Sequence, residues 1–190
     1  IIVNHDGKRE GIEIQHARYR NIKNMKLENG EKLPTLRDFL KILKKSRYTH
    51  LFVEVKRHAT RERTIEAALA GMKAVNDAGL KGMAEYMSFS LPACAALAKM
   101  DAEAKVYYLG GDKTPDELHA LGISSLNYKA DVFRKHPNWI PRAHELGMTV
   151  TARGLNKPKD VEEMIKAGVD NMASDYPVQA MKIRQRMCKD

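Results

Sequence analysis

Residues 138–152 read NWIPRAHELGMTVTA, and this stretch decides the fold. It holds a helical pattern over Asn138–Leu146, a glycine at Gly147 and an apolar, strand-like run over Met148–Ala152. A helix closed by glycine and followed at once by an apolar strand is the recurring half of a βα unit. The same punctuation returns at Ala78-Gly79, Leu121-Gly122 and Ala167-Gly168, each glycine standing just past a helical pattern. Start signals agree: Thr35 and Ser90 are placed to cap, and Thr114-Pro115-Asp116-Glu117 reads as cap, first-turn proline and acidic first turn.

Working outward, strands are expected at Ile1–His5, His50–Lys56, Met83–Ser88, Lys105–Leu109, Ser124–Tyr128, Met148–Ala152 and Asn171–Ser174. Helices are expected near Leu36–Ser46, Thr64–Ala78, Pro92–Met100, Pro115–Leu121, Asn138–Leu146, Asp160–Ala167 and Val178–Arg186. Repetition of the unit every 20–30 residues or so, with no Gly-rich dinucleotide loop, favours a (β/α) barrel over a doubly wound sheet. Six strands run from Leu51 onward, whereas a TIM (β/α)8 barrel has eight in typically about 250 residues. The expectation is therefore an α/β TIM barrel lacking about its first two strands, with residues 1–190 forming one N-terminally incomplete domain.

Composition narrows the function classes. At 43% hydrophobic and 30% charged residues, the chain is of ordinary globular type. No apolar stretch reaches the roughly 18 residues of a membrane helix, so no integral membrane segment is expected here. The net charge of +9 is spread along the chain, with only short clusters at Lys44-Lys45 and Arg57/Arg61/Arg63, which argues against a nucleic-acid partner. Cys94 and Cys188 form no CxxC pair and read as buried or incidental thiols.

In a parallel barrel the chemistry gathers at the C-terminal ends of the strands. That rule nominates Glu54 and Lys56, then Ser88-Phe89, Tyr108, Tyr128, Arg153 and Asp175. Glu54 and Lys56 lie two apart on an otherwise apolar strand, so they share a face. They suit either a divalent cation and an anion at the barrel mouth, or a plain ion pair. The His5-Asp6 pair suits proton transfer near neutral pH, or a structural role. The other six histidines show no HExxH or paired-ligand spacing and read as structural or surface residues.

Taken in order, these pieces resemble the glycerophosphodiester phosphodiesterase family. Ile2-Val3-Asn4-His5-Asp6 is similar to its "VVxHD" segment, Leu33-Pro34-Thr35-Leu36 to "IPTL", and Val53-Glu54-Val55-Lys56 to its "EIK" strand. Ser88-Phe89, Tyr108-Leu109 and Gly168-Val169-Asp170 with Ser174-Asp175-Tyr176-Pro177 follow suit. The resemblance implies a TIM-barrel hydrolase acting on a small-molecule phosphodiester with histidine acid/base catalysis and a Ca²⁺ or Mg²⁺ cofactor. It makes His5 one acid/base, Glu54 a metal ligand, Lys56 a phosphate contact, and Phe89 and Tyr128 walls of a glycerol pocket.

Two departures stand out. The family's "HRG" and "ExD" strands have no counterpart, which leaves one histidine of two and one carboxylate of three. Activity from these 190 residues alone is accordingly expected to be very weak or nil. And where the family has "WTVN", this chain reads Arg153-Gly154-Leu155-Asn156. Arg153 either meets a second anionic group on the substrate or points outward. The alternative to a hydrolase is a non-catalytic phosphate-ligand or interaction protein on the same barrel.

Overall fold

A computed structural model describes residues 1–187. Cys188 lies outside them. The sheet is built from β3 (Leu51–Val55), β4 (Ala84–Ser88), β5 (Val106–Tyr108), β6 (Ser125–Lys129), β7 (Thr149–Arg153) and β8 (Asn171–Ala173). All six are parallel and lie side by side in chain order. This is the barrel's winding, open between β3 and β8, both of which are edges among the described residues.

The crossovers are α3 (Arg61–Asp77), α4 (Leu91–Met100), α5 (Pro115–Ala120), α6 (Ala130–Lys135) with α7 (Trp139–Glu145), and α8 (Pro158–Lys166), followed by α9 (Pro177–Met187). Local chemistry sets their ends. The Thr60 hydroxyl accepts from Arg63 N at 3.1 Å and starts α3 one turn before the sequence pattern suggests. At Gly147 the backbone turns to φ +70°, and Met148 N donates back to Ala143 O at 2.9 Å, which closes α7 and releases β7.

Side chains alternate across the sheet. Val55, Tyr86, Tyr108, Leu126, Tyr128, Val150 and Ala152 face the helices, where they meet Met72, Leu97, Leu118, Phe133, Ile140 and Met164 in the main core. The inner face carries Phe52, Glu54, Met87, Tyr107, Asn127, Thr151 and Arg153, a far more polar set. Cys94 is buried in the core, and burial pushes its thiol up to about 12, so it stays protonated and unreactive near neutral pH.

The N-terminal third departs from expectation. Ile1–His5 is not a sheet strand. Ile2 forms an isolated antiparallel bridge with Thr35, and Val3 N donates to Pro34 O at 3.0 Å. Ile2 packs on a separate small core of Ile22, Met25 and Leu33, which satisfies the apolar run without a place in the barrel. Between these anchors lie a two-residue hairpin, β1 (Lys8–Arg9) and β2 (Ile12–Glu13), and the short α1 (Tyr19–Ile22). Then α2 (Leu36–Leu43) begins where the Asp38 carboxylate accepts from both the N–H and hydroxyl of Thr35. No helix among the described residues is long and apolar enough to cross a membrane.

Candidate active site at the strand ends

Glu54 is the last inward-facing residue of β3, and Lys56 follows on the same side. Lys56 Nζ donates to Glu54 Oε1 at 2.7 Å, and both side chains are partly exposed. Such a pair holds geometry more than it stabilises, because solvent screens it. It sits in a cleft of about 680 Å³ between the N-terminal segment and β3/α3, lined by Asn4 and Asp6 on one wall and Glu54, Lys56, Arg57 and His58 on the other. His58 Nδ1 lies 3.0 Å from Lys56 O.

His5 stands at the rim of this cleft, between two residues that line it. Its side chain is 88% exposed, and Nδ1 lies 2.8 Å from Asp6 Oδ1. That bond fixes one ring nitrogen and leaves the other free to exchange a proton.

Across the mouth, Arg153 points inward rather than outward. Its guanidinium carbon lies 5.0 Å from the centre of the Phe89 ring. It also donates to Leu109 O at 3.1 Å and Asn127 O at 3.4 Å, so one side chain spans the ends of four strands. Burial lowers its pKa from the ordinary arginine value, opposed by the negative charge of Glu54. Phe89 itself is held from behind, with Arg57 Nη2 donating to its carbonyl at 2.6 Å.

Tyr128 is elsewhere. It is fully buried on the helix side, its hydroxyl donating to Lys113 O at 2.9 Å and its ring among Tyr108, Phe133 and Trp139. The physical reason is parity. Asn127 and Lys129 take the inner face of β6, and the residue between them must take the outer one. Tyr128 and Tyr108 instead anchor the loop after β5, Tyr108 through Asp112 Oδ1 at 2.7 Å.

Sequence reasoning passes over three contributors. Lys129 is the cross-strand partner of Arg153, and counting two residues on from an inward Asn127 finds it. Arg57 braces Phe89. Asn156 fastens the loop after β8: its Nδ2 donates to Asp175 Oδ2 at 2.6 Å, while its Oδ1 accepts from Asp175 N at 3.0 Å and Ser174 Oγ at 3.3 Å.

Two inner-face oxygens, Asn127 Oδ1 and Thr151 Oγ1, are buried without a hydrogen-bond partner among the described residues. An orphaned buried hydroxyl forfeits about 1–3 kcal/mol of solvation. Thr151→Val, equal in shape, should therefore raise stability by about 1 kcal/mol, read as a higher urea midpoint at unchanged slope. A loss of that size would show that the hydroxyl has a partner after all.

These residues do not assemble a divalent-cation site. Among those described, no three His, Cys, Asp or Glu side chains converge. Of the strand-end carboxylates, Glu54 is engaged by Lys56 and Asp175 by Asn156. The orphaned oxygens are neutral, a poor substitute for the charged oxygen ligands such ions take.

The sequence profile described as the Glycerophosphoryl diester phosphodiesterase family matches residues 3–179. No curated protein matches. Among solved structures, the chain is similar to a glycerophosphodiester phosphodiesterase from Parabacteroides distasonis, at 37% identity and a TM-score of 0.95, covering 98% of this chain and 79% of that one. It also shares its fold with an Oleispira antarctica phosphodiesterase solved with the product sn-glycerol-3-phosphate, at 17% identity and a TM-score of 0.75, covering 97% of this chain and 79% of that one. A Thermotoga maritima glycerophosphodiester phosphodiesterase is similar in fold at 18% identity and a TM-score of 0.71, covering 97% of this chain and 78% of that one.

Proposed function

Since the chain belongs to the glycerophosphoryl diester phosphodiesterase family, we propose that it serves hydrolysis of glycerophosphodiesters to glycerol phosphate and an alcohol. The supporting observation is the cleft in which Lys56, held by Glu54, faces the Asn4–Asp6 segment that carries His5. Water adds its oxygen to phosphorus, the alcohol oxygen leaves, and a proton must reach that oxygen. Lys56 supplies positive charge where the phosphoryl oxygens become more negative. His5, its Nδ1 committed to Asp6, exchanges the proton through the other nitrogen. Phe89 is an apolar wall of the substrate pocket and Arg153 an anion contact. The family's chemistry implies Ca²⁺ or Mg²⁺, for which the described residues form no site, and no step is routed through the ion.

The readout that decides does not require turnover. Calorimetry with sn-glycerol 3-phosphate should show binding, and Lys56→Ala should weaken it about tenfold, the scale of one charge-assisted hydrogen bond. No binding by the parent chain would overturn the reading. The engagement of Glu54 by Lys56 favours a second reading, a phosphate-ligand barrel without hydrolysis. Phosphorus NMR tests the second reading: phosphomonoester appearing in the presence of Mg²⁺ or Ca²⁺ supports the hydrolase and overturns it.

A further inference from the structure

The mouth of the sheet carries more positive charge than one phosphodiester requires. Lys56 and Arg57 follow β3, Lys129 ends β6, and Arg153 ends β7. The nearby carboxylates are already committed. Glu54 is taken by Lys56, Asp112 accepts the Tyr108 hydroxyl, and Asp175 is bound by Asn156. Arg153 has no carboxylate within 4.0 Å among the described residues, and it is drawn into the mouth against Phe89 and two main-chain carbonyls.

A guanidinium placed in this way is preorganised. The ring beneath it and the carbonyls of Leu109 and Asn127 fix its plane and use two of its five N–H groups. The remaining donors are unspent. Lys129, exposed and directly beside Arg153 in register, adds a second cation on the same face of the sheet. Phosphate or carboxylate suits such a pair, because arginine binds planar or tetrahedral oxyanions bidentately and lysine adds charge.

We propose that Arg153 and Lys129 form a second anion subsite, so that the preferred diesters carry a further anionic group besides the scissile phosphate. The inference rests on the hydrolase reading above and deepens it. Lys56 attends the scissile phosphate and the Arg153–Lys129 pair attends the distal group.

Two ligands that differ by a single phosphate test this: glycerophosphoinositol and glycerophosphoinositol 4-phosphate. In calorimetric titrations of the chain, the phosphorylated ligand should bind about tenfold tighter or more, the scale of a charge-assisted hydrogen bond. Arg153→Leu should abolish the ratio. Arg153→Lys, which keeps the charge and loses the fork, should retain part of it and also guards against a folding defect in the leucine variant. Lys41→Gln, a neutralisation of an exposed lysine on α2, separates a built subsite from the diffuse attraction of a +9 chain. A parent ratio near one overturns the subsite and leaves the hydrolase reading standing, as does an equal fall of the ratio in Lys41→Gln. Failure of both ligands to bind overturns the two together.

Discussion

His5→Ala should lower kcat for glycerophosphodiesters by about 10²–10⁴-fold with KM little changed, because that is the usual loss when a positioned acid/base is removed. The expectation comes from geometry. Asp6 Oδ1 lies 2.8 Å from His5 Nδ1, so the carboxylate selects the orientation of the ring. A proton carrier of this kind acts on the rate of bond breaking and contributes little to substrate affinity, hence the split between kcat and KM. Asp6→Asn should give a smaller loss in kcat. Steady-state kinetics of turnover-competent protein measures both. Turnover unchanged in His5→Ala would make His5 a rim residue only, in keeping with its exposure, and would require the proton to travel by another route.

Tyr128→Ala should destabilise the fold by about 3–5 kcal/mol, the range for emptying a buried aromatic site. Tyr128 has no exposed surface, its ring lies 6.0–6.2 Å from those of Tyr108, Phe133 and Trp139, and its hydroxyl holds the loop after β5 through Lys113 O. The ring and the hydroxyl can be separated. Tyr128→Phe keeps the packing and removes one hydrogen bond, for which about 1 kcal/mol is the ordinary loss. Urea denaturation of the three proteins checks the order. If the alanine variant matched wild type, the ring would not be a core element, and a wall of the substrate pocket would again be open to it.

The architecture is legible because its signals are local and repeat. Thr60, Ser90 and Thr114 cap the helices they precede, Gly79, Gly122, Gly147 and Gly168 follow helix ends, and the six strands from Leu51 onward fall within a residue or two of their expected bounds. The spacing of Glu54 and Lys56 puts them on one face, and the ion pair they form is one of the two readings that spacing allows. Tyr128 shows what local reading misses: being at a strand end does not decide the face, and one step along β6 exchanges the barrel mouth for the helix layer. The run Ile1-Ile2-Val3 fails for another reason. Apolar residues in extended conformation suit any buried surface, and here the surface is the small core around Ile22 rather than the sheet. The α6 helix goes unnoticed because it starts directly after Lys129, with no turn to announce it. Contacts such as Arg57 with the Phe89 carbonyl join residues 32 apart in the chain, so no short window contains them.

Asn156 gives the mouth a property that none of its charged residues supplies. One neutral amide both donates to the Asp175 carboxylate and accepts from the Asp175 backbone, so the loops after β7 and β8 form a single lip. The link depends on the amide nitrogen. An aspartate of the same shape would set two carboxylates against each other at the distance where a bond now stands, and attraction would become repulsion. A change of this one group, without loss of any volume, would unfasten the lip beside Arg153 and leave the barrel wall intact.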